Sequence, residues 1–227
     1  VANDLAFLTM DLAVHGRIDL RREVLQAWLE ASGDFAAVAL LPYFELYRAL
    51  VRAKVAALRD DAAEADAYLS MAAQLGAPPR LTFTITCGLS GSGKTTASSA
   101  RLMADPQAAT VRLRSDVERK RLFGLAADAD SGGAIYDADA TRRTFDRLAE
   151  LARQCLADGW SVIVDAAFLK RAERDSFAEL AAELGVGFSI LACEVPPDEL
   201  RRRLLARNGD ASEATVSRSP TDDTTSR

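Results

Sequence analysis

The sequence has a single histidine, His15, in a turn-like "VHGR". That scarcity argues against a histidine-based zinc site and against a Ser-His triad. Its three cysteines, Cys87, Cys155 and Cys193, are scattered with no paired spacing. They fall in segments that read as buried strand or helix. Free core thiols in a reducing cytoplasm are therefore expected, rather than disulfides or a metal cluster. Lysine is also sparse, at Lys54, Lys94, Lys120 and Lys170, and the net charge is −5. No overall basic field recruits nucleic acid or an anionic membrane, although a local basic groove stays open. No apolar run reaches membrane-spanning length. The opening "VANDLAFLTMDLAVHG" has neither a basic lead nor a small-residue cleavage site, so it does not read as a secretion signal. No internal repeat is visible.

What is present is enough apolar residue, 49% of 227, for a packed core in one large domain or two small ones. Residues 1–76 read as helices. Leu5, Phe7, Leu8, Met10 and Leu12 form a first apolar segment that breaks at Gly16. Asp19 is a candidate cap for a helix through Leu29 ending near Gly33. Asp34 suits a short turn, and Pro42 suits the first position of a longer helix in which Tyr43, Phe44, Tyr47, Leu50 and Val51 recur at helical spacing. "DAAEADAYLSMAAQL" reads as a further helix. The Gly-Ala-Pro-Pro run at 76–79 marks the best boundary, with a linker at 77–80.

Beyond it the period changes. "LTFTITC", "TVRLR", "WSVIVD" and "GFSILAC" read as strands. Helical patterns fill 94–103, 117–123, 138–158 and 171–184. In the longest, Phe145, Leu148, Ala152 and Cys155 make the buried stripe and Gly159 stops it. Strands alternating with helices predict an α/β fold, a parallel sheet covered on both faces, preceded by a small all-α segment. This domain is expected over 81–210. The polar end, 211–227, reads as a disordered tail.

The chemistry centres on "CGLSGSGKTT", Cys87–Thr96, between a strand and a helix. Gly88, Gly91 and Gly93 let the backbone wrap with its N–H groups inward, and the following helix N-terminus adds to an anion nest for nucleotide phosphates. Ser90, Ser92 and Thr96 keep the loop polar. Lys94 brings a cation to the β- and γ-phosphate oxygens, and Thr95 offers a hydroxyl to Mg²⁺. Asp165, ending "VIVD", faces the same rim of the sheet, as a metal ligand or as the cap of the next turn. In "RSDVERKR", Asp116 is either a base for an acceptor hydroxyl or a helix cap. Arg119 either binds an anionic acceptor and steadies Asp116, or lies on a solvated face. The arginine-rich helix after Pro196 and Pro197 is either a lid over ATP or a solvated face.

"GLSGSGKTT", "RSDVERKRLFG", "VIVDAAFL" and "LRRRLLARNGDASEA" together resemble the small P-loop kinases grouped with polynucleotide kinase, gluconate kinase and zeta toxins. The resemblance implies a P-loop NTPase three-layer α/β/α fold using ATP and Mg²⁺. It implies that Asp116 and Arg119 contact the acceptor hydroxyl, with Asp116 the general base, and that Arg203 and Arg207 contact ATP. "NDLAFLTMDLAVHGR" and "YFELYRALVRAKV" are similar to the C-terminal helices of an aminoglycoside phosphotransferase-like domain, as in bacterial fusions of such a domain with a P-loop kinase. No H-x-D catalytic loop occurs, so residues 1–76 are expected to lack kinase activity of their own. Kinases of this group continue past the lid with a further helix and a fifth strand. Here the pattern dissolves after "DASEA", which reads as a truncated chain or as one frame-shifted at its end. Three functions compete: phosphotransfer to a small-molecule or nucleic-acid hydroxyl, ATP hydrolysis for a regulatory role in the AAA style, and a nucleotide-binding remnant without turnover. Asp165 is followed by Ala166 rather than Glu, which disfavours the second.

Overall fold

The structure is a computed structural model and describes residues 2–76, 80–127, 129, 131 and 135–205. Four helices come first: α1 Ala2–Val14, α2 Ile18–Ser32, α3 Leu41–Leu58 and α4 Ala62–Leu75, with a 3-10 turn at Phe35–Ala39 after α2. Gly33 closes α2 in the left-handed region (φ 70°), its N–H donating to Leu29 O. The α2 start differs from expectation. Arg17 is the N-cap, and Asp19 lies in the first turn, where it takes a two-pronged ion pair from Arg17 at 3.1 and 2.9 Å. Asp61 caps α4, accepting from the Glu64 N–H at 3.0 Å.

The remaining elements alternate: β1 Thr82–Cys87, α5 Lys94–Met103, β2 Thr110–Arg114, α6 Ser115–Leu122, α7 Ala138–Ala157, β3 Ser161–Asp165, α8 Arg171–Leu184, β4 Gly187–Ala192 and α9 Pro197–Leu205. All strand pairs are parallel, in the order β2-β3-β1-β4. The chain thus forms the expected α/β architecture of the P-loop NTPase type, a parallel sheet with flanking helices and a helical N-terminal segment. α6 starts at Ser115, two residues before the expected position; α7 stops as expected at Gly159, which follows the C-cap Asp158 in the left-handed region (φ 84°) and donates to Leu156 O at 3.1 Å.

Side-chain alternation assigns the two faces of the sheet. Phe83, Val162 and Val111 are in register, and with Ile85, Val164 and Leu113 they form one apolar face. α7 covers it with Leu148, Leu151, Ala152 and Cys155, and α8 with Phe177, Leu180 and Ala181. Leu5, Leu25, Leu29, Phe35, Val38 and Leu41 of the N-terminal helices belong to the same buried cluster. One core therefore runs across the boundary expected at 77–80, of which residues 77–79 lie outside the described residues. The opposite face, with Arg112, Ile163 and Asp165, lies under α5.

Polar contacts fix the helical segment to the sheet. β2 is an edge strand, and Gln26 of α2 caps that edge. Its Nε2 donates to Arg112 O at 2.8 Å and its Oε1 accepts from the Arg112 N–H at 2.9 Å. Such pairing satisfies backbone groups that an open edge leaves bare. Arg21 donates to Ala108 O at 2.6 Å, and Trp160 Nε1 donates to Val38 O at 2.9 Å. Arg21 also forms a buried ion pair with Glu45 of α3 at 3.0 Å.

That pair accounts for a reversal on α3. Of the residues that recur at helical spacing, Phe44 packs against the core, whereas Tyr43, Tyr47, Leu50 and Val51 point outward; Tyr43 is 64% and Tyr47 53% exposed. The buried face carries Leu41, Glu45, Ala49, Ala53 and Ala56. A carboxylate matched to a guanidinium and a run of alanines permits close helix packing, so the larger side chains are turned outward.

No helix among the described residues is long and apolar enough to cross a membrane. The three cysteines are free thiols. Cys155 is buried as expected, and burial pushes its thiol up to about 12, whereas Cys87 and Cys193 are only half-buried. Residues 206–227, including the expected tail, lie outside the described residues.

Candidate phosphate-binding site

The loop from β1 to α5 takes its shape from three glycines. Gly91 and Gly93 adopt φ of 82° and 93°, in the left-handed region that L side chains avoid. At Gly88 (φ 150°) a Cβ would stand 2.4 Å from Cys193 O and 2.6 Å from Ser92 Oγ, so only glycine fits. The Gly88 N–H donates to Ala167 O at 3.0 Å, tying the loop to the segment after β3. That segment is itself held tightly. Phe168 has a positive φ of 47° and is fully buried against the rings of Phe145 and Phe177. Strain of this kind persists only where surrounding packing over-determines it.

The loop opens onto a cavity of about 760 Å³. Its walls include Ser90, Gly91, Ser92, Gly93, Lys94, Thr95 and Thr96, then Arg114 at the end of β2, Ser115 and Asp116 at the start of α6, Asp165 at the end of β3, and Arg203 of α9. Sequence positions far apart thus meet at the C-terminal rim of a parallel sheet, where such folds bind ligands. Lys94 Nζ donates to Leu89 O at 2.8 Å, folded back along the loop. Gly93 is the N-cap of α5, so the positive end of that helix faces the cavity. Ser92 Oγ is buried without a hydrogen-bond partner, an orphaned polar atom in the wall of an anion cradle.

Asp165 is buried, and its Oδ2 accepts from Ser98 Oγ at 3.0 Å. Asp165 and Thr95 line one cavity. No cluster of three His, Cys, Asp or Glu stands among the described residues. Two protein oxygens are too few for a protein-only cage and suit Mg²⁺, a hard cation that keeps waters and takes phosphate oxygens; Thr95 and Asp165 would hold it.

Asp116, in the first turn of α6, reaches the cavity. Arg119 does not line it. Its NH1 donates to Ile135 O at 3.1 Å and Thr141 Oγ1 at 3.3 Å, and the guanidinium lies 4.8 Å from the Tyr136 ring. Burial lowers its pKa, opposed by the negative charges of Asp116 and Asp137 nearby. The charges of α6 do not form a solvated face: Glu118, Arg119 and Lys120 are all buried. Burial pushes the Glu118 carboxyl up, against the pull of the Arg121 guanidinium that bonds it. Lys120 Nζ donates to Ala127 O at 3.1 Å.

Arg203 joins the site from α9, its Nε held by Glu199 at 2.7 Å and its NH1 beside Gly93. Arg207 lies outside the described residues. Sequence reasoning missed Arg114, Ser115, Ser98, Arg112 and Glu30. Ser98 had a signal, since it follows Thr95 by one helical turn and shares its face. Glu30 had none, because it arrives from a helix remote in sequence.

The profile of the AAA_33 family, described as an AAA domain, matches residues 83–226. The uncharacterized protein Rv2004c of Mycobacterium tuberculosis H37Rv is 32% identical over 225 residues, covering 94% of this chain and 44% of that protein. Mb2027c of Mycobacterium bovis matches to the same extent. The chain thus spans less than half the length of the curated relatives it matches. Among solved structures, the Mycobacterium tuberculosis APS kinase CysC in complex with AMPPNP and APS aligns with a TM-score of 0.44 and 28% identity, over 56% of this chain and 69% of that one. The Pnkp1/Rnl/Hen1 RNA repair complex aligns with a TM-score of 0.46 and 19% identity, over 58% and 39%.

Proposed function

Because the chain belongs to the AAA_33 family, the AAA domain matched over residues 83–226, we propose that it is an ATP-dependent phosphotransferase. It moves the γ-phosphate to a hydroxyl of a small-molecule or nucleic-acid acceptor. The observation that carries this reading is the position of Asp116, a carboxylate on the wall of the same cavity as Lys94 and the glycine loop.

Each residue then has a physical task. Loop N–H groups from Gly88 to Thr96 and the N-terminus of α5 receive the phosphates. Lys94 exchanges its bond to Leu89 O for β- and γ-phosphate oxygens. Thr95 and Asp165 hold Mg²⁺, which when bound neutralises phosphate charge. Asp116 accepts the acceptor's hydroxyl proton as that oxygen bonds to the γ-phosphorus and the bond to the bridging β–γ oxygen breaks, releasing ADP. Arg119, buried behind Asp116, supplies a positive charge that steadies it. Arg203 acts on the phosphates from α9, and Arg207, outside the described residues, is assigned to ATP by the resemblance alone.

The family's description also favours a second reading, ATP hydrolysis for a regulatory role. Ala166, buried and apolar, occupies the position where a carboxylate activates water in such enzymes, which supports transfer instead. On sequence resemblance alone we further assign residues 1–76 to the C-terminal helices of an aminoglycoside phosphotransferase-like domain in a bacterial, cytoplasmic fusion protein.

The test is Asp116→Asn assayed with radiolabelled ATP against a panel of hydroxyl acceptors. Transfer falls by roughly two to four orders of magnitude, while ATP binding by calorimetry is retained. Loss of ATP binding in this variant assigns Asp116 a structural role. Turnover that needs no acceptor and survives Asp116→Ala supports the ATPase reading.

A further inference from the structure

Asp165 is held from α5, by a side chain outside the glycine loop. Its Oδ2 accepts from Ser98 Oγ at 3.0 Å, and Ser98 is completely buried on α5. A serine hydroxyl has one proton, and here two acceptors compete for it: Asp165 Oδ2, and Thr95 O at 3.1 Å. The guanidinium of Arg112, on β2, decides between them. Its NH1 lies 3.3 Å from Thr95 O and 3.4 Å from Ser98 Oγ, donating to both. Thr95 O thereby has a donor of its own, Ser98 Oγ accepts through one of its two lone pairs, and the hydroxyl proton goes to the charged carboxylate, the stronger acceptor. Donation into Ser98 Oγ also polarises the hydroxyl, which strengthens its own bond to Asp165.

Arg112 is buried and requires a counter-charge. Glu30 of α2 provides it, with Oε1 at 3.0 Å from NH2 and Oε2 at 3.5 Å from Arg114, a wall residue of the cavity. Gln26, one turn earlier on α2, donates to Glu30 Oε1 at 2.9 Å while it brackets the Arg112 backbone. A continuous line of bonds therefore runs from the N-terminal helices to the carboxylate at the phosphate site.

We propose that Glu30 and Arg112 are positioning residues for Asp165, acting through Ser98, so that helix α2 is a working part of the Mg²⁺ site. The inference rests on the reading of Asp165 as a metal ligand. Residues one shell out from a metal fix the direction of its ligands, and their loss characteristically weakens metal binding.

The test measures affinity for a fluorescent ATP analogue in Mg²⁺ and, separately, in EDTA, for the full chain and for Ser98→Ala, Glu30→Gln and the double variant. Thermal melts establish that each is folded; Ser98→Ala is the mildest change. In Mg²⁺ each single variant binds roughly tenfold more weakly. In EDTA each stays within about twofold of the parent, and the double variant in Mg²⁺ matches Ser98→Ala, since Glu30 acts through Ser98. Equal losses in both conditions, multiplying losses in the double variant, or an unchanged Mg²⁺ affinity in Ser98→Ala overturns the inference. A parent chain that binds equally with and without Mg²⁺ removes the metal role of Asp165, and the inference with it. A parent chain that binds in neither condition overturns the functional reading itself.

Discussion

The two halves of the chain build their structure by different means. Residues 80–205 follow their own local pattern: apolar runs become strands, glycines turn the loop, and reactive side chains gather at one rim of the sheet. In residues 2–76 the elements follow the pattern, and Leu25 and Leu29 of α2 pack inward with it, but one helix departs. α3 turns Tyr43, Tyr47, Leu50 and Val51 outward and buries Glu45. The difference lies in where partners come from. A parallel sheet fixes the face of every residue once register is set. A helix is free to rotate about its axis, and a single long-range partner, here Arg21, selects the face.

The contrast breaks most severely at Lys94. Lys94→Ala lowers phosphoryl transfer by at least about a thousandfold, because a preorganised cation on the phosphates contributes several kcal/mol to transition-state stabilisation. Urea unfolding stays near parent values, since the Lys94 Nζ hydrogen bond goes to a loop carbonyl, Leu89 O, at the wall of the cavity rather than into the core. A parallel loss of stability would mean that the bond to Leu89 O holds the loop closed.

Removing Glu45 tests the other half. Glu45→Ala leaves the buried Arg21 guanidinium without its partner, and costs roughly 3–5 kcal/mol in unfolding free energy. Chemical denaturation measures it. A cost near zero would show that Arg21 is served well enough by Ala108 O, and that the choice of face on α3 has another cause.

What could be read from the sequence follows the same division. The loop, the four strands and the helices α5 and α8 announce themselves through spacing alone, because glycines, β-branched runs and the helical period are local signals. Asp116 and Asp165 could be placed at the rim because both end apolar strands or follow them directly. The buried charges of α6 could not: three consecutive charged residues look like a solvated face unless the covering chain is known. Nor could Glu30 or Gln26, whose roles depend on which edge of the sheet α2 reaches. The boundary at 77–80 marks a real change of period, yet Leu25, Leu29 and Phe35 share their core with Val111 and Val162. Composition cannot show that sharing, since it reports what a segment contains and not what covers it.

The smallest expected effect is the most discriminating for α3. Tyr47 is 53% exposed, and the adjoining stripe of Tyr43, Leu50 and Val51 is exposed as well. Serine and tyrosine differ little in helix propensity, so in a solvated helix Tyr47→Ser shifts unfolding free energy by no more than about 0.5 kcal/mol. Glu45, two residues earlier on the same helix, costs several times that. Urea melts of both variants, at two protein concentrations, place the two faces on one scale. A loss at Tyr47 that grows with protein concentration would mean that the outward stripe is covered by another copy of the chain in solution. A large loss independent of concentration would mean that α3 is rotated, with its aromatic residues inward and Glu45 toward water. Contiguous apolar surface on a helix is unusual enough that a null result is informative too. It would show that burying Glu45 with Arg21 outweighs the transfer of two tyrosines, a leucine and a valine out of water.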